Sequence, residues 1–97
     1  NCIAILSLTD GDVEIYFFGV AESLRGRGLG KKFLKNIINF SKYYGADFIT
    51  LEVGINNIPA KNMYSSFNFI ECGIRKNYYR NSSGSREDAI IMKLNLN

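Results

Sequence analysis

Ninety-seven residues allow one domain with a small core and leave no room for a second. A net charge of +3 suits a polyanionic ligand but is too small to argue for nucleic acid. With no His anywhere, Ser-His-Asp and Cys-His mechanisms are excluded, and a general base has to be a carboxylate or an activated water.

The chain opens with a short apolar run, Ile3 to Leu8, closed by Thr9-Asp10-Gly11-Asp12. Asp-Gly is a hairpin turn signal, because such turns need positive φ angles. Val13 to Val20 reads as the second strand of that hairpin. Next comes Arg25-Gly26-Arg27-Gly28-Leu29-Gly30, between this strand and a run from Leu29 to Tyr44 with helical periodicity. A glycine-rich turn at the start of a helix lets backbone N–H groups close around an anion, and the helix dipole favours negative charge there. Arg25, Arg27, Lys31 and Lys32 add cationic side chains. The plainer reading is a solvated basic turn that caps the helix, since short glycine motifs are weakly specific. No Gly-Lys-Ser/Thr makes it a P-loop, and the glycine spacing is wrong for a dinucleotide fingerprint.

In the helix, Leu29, Phe33, Leu34, Ile37, Ile38, Phe40 and Tyr44 form the expected dry face, opposite Lys31, Lys32, Lys35, Asn36, Asn39 and Lys42. Gly45 is a good stop. Phe48 to Val53 reads as a strand with Phe48, Thr50 and Glu52 on one face and Ile49, Leu51 and Val53 on the other. Strand, helix, strand implies a right-handed parallel crossover. Asn57 is a natural N-cap for a short helix with Pro59 in its first turn. Ala60, Met63, Tyr64 and Phe67 share one face of that helix. Phe69 to Lys76 and Ala89 to Leu96 are two closing strands, with a polar loop from Asn77 to Asp88 between them. The reading is a single α/β (α+β) domain over residues 1–97, in β-β-α-β-α-β-β order.

Glu52 is the candidate base. A carboxylate within an apolar strand is costly unless paired or used, and partial burial makes a carboxylate a stronger base. The plainer alternative is a salt-bridged Glu at a strand end. Cys2 and Cys72 are far apart, with neither a CxxC pair nor a zinc-ligand pattern, so no metal is expected. No run of apolar residues has the length of a membrane span, and no signal-peptide pattern is present; a reducing, cytoplasmic setting is the expectation.

Arg25-x-x-Gly28-x-Gly30, after a strand ending in Val20, resembles the acyl-CoA pyrophosphate loop of the Gcn5-related N-acetyltransferases. Leu51-Glu52-Val53, Asn57, Ala60, Met63-Tyr64 and Phe67-Asn68-Phe69 resemble that superfamily's next strand, helix and strand. Arg75-Lys76-Asn77-Tyr78-Tyr79 followed by Glu87-Asp88-Ala89-Ile90-Ile91-Met92 is similar to its ribosomal-protein-alanine N-acetyltransferase (RimI) branch. The resemblance implies a mixed central sheet and, because members carry a further strand and two helices ahead of the point matching Asn1, a domain lacking its N-terminal part.

It also implies roles. Arg25, Gly26, Arg27, Gly28, Leu29 and Gly30 would hold the diphosphate of acetyl-CoA. Phe18, Gly19 and Val20 would pair their backbone with its pantetheine arm, while the side chains of Phe18 and Val20 serve the core. Glu52 would be the base, and Tyr64 the acid that protonates the departing thiolate; as a residue of an apolar stripe, Tyr64 otherwise reads as core. Asn57 would hydrogen-bond the cofactor or cap its helix. Tyr78 and Tyr79 would bind the acceptor peptide, or pack over the loop. Glu87 and Asp88 read as ordinary charges at the start of a strand. Relatives usually have Arg where Gly54 stands, Ser at Asn56, Gly at Asn68 and Pro at Glu22; Asn at 68 tolerates the left-handed turn that Gly makes there. The expected activity is acetyl transfer from acetyl-CoA to a protein N-terminal amine, of a ribosomal protein in this branch, with neither membrane nor direct nucleic-acid contact. The alternatives are the same chemistry on a small-molecule amine, or a truncated CoA-binding remnant.

Overall fold

The structure is a computed structural model that describes residues 2–9, 11–20, 29–80 and 86–97. Its elements follow the expected order: β1 (Cys2–Thr9), β2 (Asp12–Val20), α1 (Leu29–Tyr43), β3 (Phe48–Gly54), α2 (Ile58–Ser66), β4 (Ile70–Arg80) and β5 (Arg86–Asn95). They fall into two compact units, Asn1–Ile49 with Leu96–Asn97, and Thr50–Asn95. The boundary lies inside β3. Among the described residues no helix is long and apolar enough to cross a membrane.

In the first unit β1 and β2 pair antiparallel, from Thr9 opposite Asp12 to Cys2 opposite Val20. Ile5 faces Phe17 and Leu6 faces Ile15, so Tyr16 is one extra residue in β2. Such a bulge bends the strand and changes its twist just before Phe18, Gly19 and Val20. Gly11 has φ 80°, as the Asp-Gly signal predicts, and its carbonyl accepts the N–H of Asp47 at 2.6 Å.

Helix α1 buries Leu34, Ile37, Ile38 and Ser41, spaced as i, i+3, i+4 and i+7. Burying each of the three aliphatic side chains stabilises the fold by about 1.5–3 kcal/mol. The expected dry face was drawn too wide. Phe40 and Tyr44 are exposed and pack on each other instead, ring centres 4.6 Å apart. The buried stripe runs through Ser41, whose hydroxyl donates to the Ile37 carbonyl at 2.8 Å, so no polar group is left unsatisfied there. The helix ends where Gly45 (φ 77°) and Ala46 donate to the carbonyls of Lys42 and Ser41.

The second unit contains the rest of β3, then α2, β4 and β5, with strand order β3-β5-β4. In β3, Ile49, Leu51 and Val53 are buried while Phe48, Thr50 and Glu52 are half-buried, as alternation requires. Leu51, Val53, Tyr64, Phe69, Ala89, Ile90 and Met92 are the buried hydrophobic side chains among the described residues of this unit. The polar loop expected from Asn77 to Asp88 is much shorter, because β4 runs on to Arg80 and β5 begins at Arg86. The reason is a second irregularity: Arg75 faces Ala89 and Tyr79 faces Glu87, so Lys76, Asn77 and Tyr78 stand opposite Asp88 alone. Asn77 adopts φ 51°, a left-handed conformation that Asn tolerates, and the strand resumes beyond it.

Candidate active site

Glu52 sits in β3 with its side chain 29% exposed. Its Oε2 is buried and has no hydrogen-bond partner among the described residues. The nearest cationic atom recorded for it is Nε of Arg75, at 3.7 Å. A buried carboxylate oxygen that accepts no hydrogen bond is rare and needs an explanation. Arg75 was named in the sequence reading only as part of a resemblance; its pairing with Glu52 joins residues from different strands and carries no local signal.

Tyr64 is 7% exposed on α2, and its ring centre lies 5.7 Å from that of Phe69. Tyr64 is therefore core, as its place in the apolar stripe predicts. Asn57 caps α2, its Oδ1 accepting the N–H of Ala60 at 3.3 Å, with Pro59 in the first turn. At the other end Asn68 has φ 73°, and the N–H groups of Asn68 and Phe69 donate to Ser65 and Tyr64. The left-handed turn expected of Gly in relatives thus survives with Asn.

Between β3 and α2, the N–H of Asn57 donates to the Gly54 carbonyl at 2.9 Å. The same turn is tied to β5 twice. Ile55 N–H donates to the Asp88 carbonyl at 2.9 Å, and Asn56 Nδ2 donates to Glu87 Oε2 at 3.0 Å. Asp88 also accepts the backbone N–H of Asn77 on its Oδ1, at 2.9 Å. Glu87 and Asp88 are therefore not merely solvated charges, and the sequence reading missed their role.

Of the residues assigned to acetyl-CoA, Arg25, Gly26, Arg27 and Gly28 lie outside the described residues. Leu29 and Gly30 form the first turn of α1, which contains no acidic residue and exposes Lys31 and Lys32. That is the charge pattern an anion at a helix N-terminus requires. Phe18, Gly19 and Val20 are β2 backbone opposite Ala4, Ile3 and Cys2, and Tyr78 and Tyr79 are β4 backbone; the side chains of Phe18, Val20, Tyr78 and Tyr79 are outside what the structure describes.

A sequence model of the acetyltransferase (GNAT) family matches residues 2–69. The chain belongs to that family. Within it, the chain is 36% identical over 85 residues to the [ribosomal protein bS18]-alanine N-acetyltransferase of Haemophilus ducreyi, covering 88% of this chain and 59% of that protein. It is 35% identical over 91 residues to the enzyme of the same name from Escherichia coli K12, covering 94% and 61%. The crystal structure of the ribosomal-protein-S18-alanine N-acetyltransferase from Escherichia coli superposes with a TM-score of 0.91 at 34% identity, over 98% of this chain and 61% of that one. A Bacillus subtilis acetyltransferase solved in complex with CoA superposes with a TM-score of 0.87 at 25% identity, over 99% and 69%. The GNAT fold, with its mixed sheet, is thus shared. The chain spans about three fifths of the length of the curated relatives it matches.

Proposed function

We propose that this chain forms part of an acetyl-CoA-dependent N-acetyltransferase whose acceptor is the N-terminal α-amino group of a protein, an N-terminal alanine of a ribosomal protein in particular. The observation that carries the reading is the buried, unsatisfied Oε2 of Glu52 on the strand that GNAT relatives use for their base. The names of the relatives at about 35% identity support the choice of acceptor.

In this reading Glu52 takes a proton from the acceptor ammonium, directly or through one water. The freed amine adds to the acetyl carbonyl, the carbon–sulfur bond breaks, and the hydroxyl of Tyr64 delivers a proton to the departing thiolate. A phenol and a thiol have similar acidities, which makes that transfer nearly balanced. Acetyl-CoA, as the second substrate, supplies the activated carbonyl. Backbone N–H groups of the turn from Arg25 to Gly30, with the cationic first turn of α1, would hold its diphosphate.

The test is mass spectrometry of peptides incubated with acetyl-CoA and the full-length natural protein. Peptides with N-terminal alanine are expected to gain one acetyl group on the α-amine, and the same peptides with that amine blocked to gain none. Transfer to a polyamine but to no peptide would move the acceptor to small molecules.

A further inference from the structure

The positive charge of this chain is unevenly placed. Helix α1 carries Lys31, Lys32, Lys35 and Lys42 and no acidic residue, while in the rest of the sequence acidic residues outnumber basic ones. All four lysines are exposed, and none forms an ion pair among the described residues. Lys31, Lys35, Asn39 and Lys42 follow at steps of four, four and three, so they line one side of the helix. The nearest acidic residue in sequence, Asp47, lies beyond the helix, and its Oδ1 accepts from Asn97. The exposed side of α1 ends in three rings. Phe40, Tyr43 and Tyr44 are 41%, 85% and 64% exposed. Tyr44 touches both of the others, its ring centre 4.6 Å from Phe40 and 5.4 Å from Tyr43. These contacts hold the rings together yet leave most of Tyr43 in water.

We propose that the exposed side of α1, from Lys35 to Tyr44, binds single-stranded RNA. Such binding needs cations along the phosphate backbone and aromatic faces on which bases stack, and α1 presents both together. A row of lysines without a carboxylate selects a polyanion. The rings beside it select a polyanion with unpaired bases over an acidic protein. The C-terminal end of a helix disfavours anions, so the neutral bases belong beside Tyr43, with phosphates along the lysines. This departs from the expectation drawn from net charge, which is small for the whole chain although its entire positive excess lies on one helix. The choice of RNA rather than DNA rests on the proposed acceptor, a ribosomal protein, whose assembled setting is RNA.

The test is fluorescence anisotropy of a labelled, mixed-sequence oligoribonucleotide of about twelve nucleotides, within the usual site size. It is titrated with the full-length natural protein at several salt concentrations, in saturating CoA so that the RNA does not enter the cofactor site. Tyr43→Ala is expected to weaken binding about tenfold, and Tyr43→Phe, which keeps the ring, to change it little. Lys35→Gln combined with Lys42→Gln is expected to reduce the slope of log K against log salt by about 1.4, or about 0.7 for each phosphate contact. All these substitutions fall on exposed side chains, where stability changes little. Absence of binding overturns the proposal. So does binding that Tyr43→Ala and the lysine pair leave unchanged, the result also given by a face covered in the full-length protein. Equal affinity for polyglutamate, indifferent to Tyr43→Ala, overturns it in favour of an acidic protein partner. A dimer in sedimentation that Tyr43→Ala dissociates assigns the rings to a second copy and overturns it as well. Acetylation is read separately. A protein that acetylates peptides but binds no RNA loses this proposal alone, and one that binds RNA through Tyr43 but acetylates no peptide loses only the proposed activity.

Discussion

Arg75 Nε reaches within 3.7 Å of Glu52 Oε2 although β5 lies between their strands in the order β3-β5-β4. The residue directly opposite Arg75 on β5 is Ala89, which is fully buried and small. Opposed residues share a face of the sheet, so a methyl group at 89 leaves the Arg75 stem a path across β5. The pair is half open to water, with side chains 52% and 29% exposed, and solvent screening limits its worth to stability to about 0–1 kcal/mol.

In the proposed reaction its consequence is therefore orientation rather than stability. Arg75→Leu is expected to leave thermal unfolding nearly unchanged while lowering kcat on the order of tenfold, because a carboxylate no longer held in one rotamer spends less time in line with the amine. Ala89→Val, which narrows the path, should act in the same direction. A full kcat in Arg75→Leu would show that Glu52 is oriented without it.

Glu52→Gln keeps the size of the side chain and removes the proposed proton acceptor. The expected loss in kcat/KM is about 10²–10⁴ near neutral pH. The loss should shrink as pH rises through the range where an α-amine deprotonates unaided, around 8. A uniform loss across the whole profile would instead assign Glu52 to binding.

Tyr64→Phe separates core from acid in one substitution. The ring beside Phe69 is kept, so stability should change by no more than about 1 kcal/mol, the typical net worth of one hydroxyl hydrogen bond. If the hydroxyl protonates the thiolate, kcat falls by about 10²–10⁴ with acetyl-CoA affinity unaltered, measured by calorimetry on the same protein. An undiminished kcat would leave Tyr64 as packing alone.

What could be read from the residues beforehand was what is local. The order of elements, the two faces of β3, the Asn57 cap and the left-handed Asn68 each depend on a handful of neighbours in sequence, and all four are observed. What could not be read is what strand register decides. The extension of β4 past Asn77 needs the carboxylate of Asp88, eleven positions along the chain, to satisfy a displaced N–H. Helical periodicity likewise defines a stripe without its width. Phe40 and Tyr44 sit at the edge of the stripe and pack on each other, while Ser41, polar by type, is fully buried like Leu34. The Glu52–Arg75 pair follows the same rule, since only the register places a β4 side chain across β5.

The turn at Gly11 gives a test that is independent of chemistry. Two costs coincide there: φ is 80°, and a Cβ would lie 2.7 Å from Oδ2 of Asp47. The second is the smaller, because that oxygen ends an exposed side chain whose other oxygen accepts from Asn97 Nδ2 at 3.1 Å and which can turn away at the expense of that bond. The first cannot be relieved without giving up the bonds from the Asp47 and Phe48 N–H groups to the Gly11 carbonyl. Gly11→Ala is therefore expected to destabilise by about 1–2 kcal/mol, most of it backbone strain. In an Asp47→Ala background the clash is gone, and the same substitution should still cost nearly as much. Chemical denaturation of the four proteins measures both numbers. If the double variant recovers full stability, contact with Asp47 and not the left-handed backbone is what demands glycine at this turn.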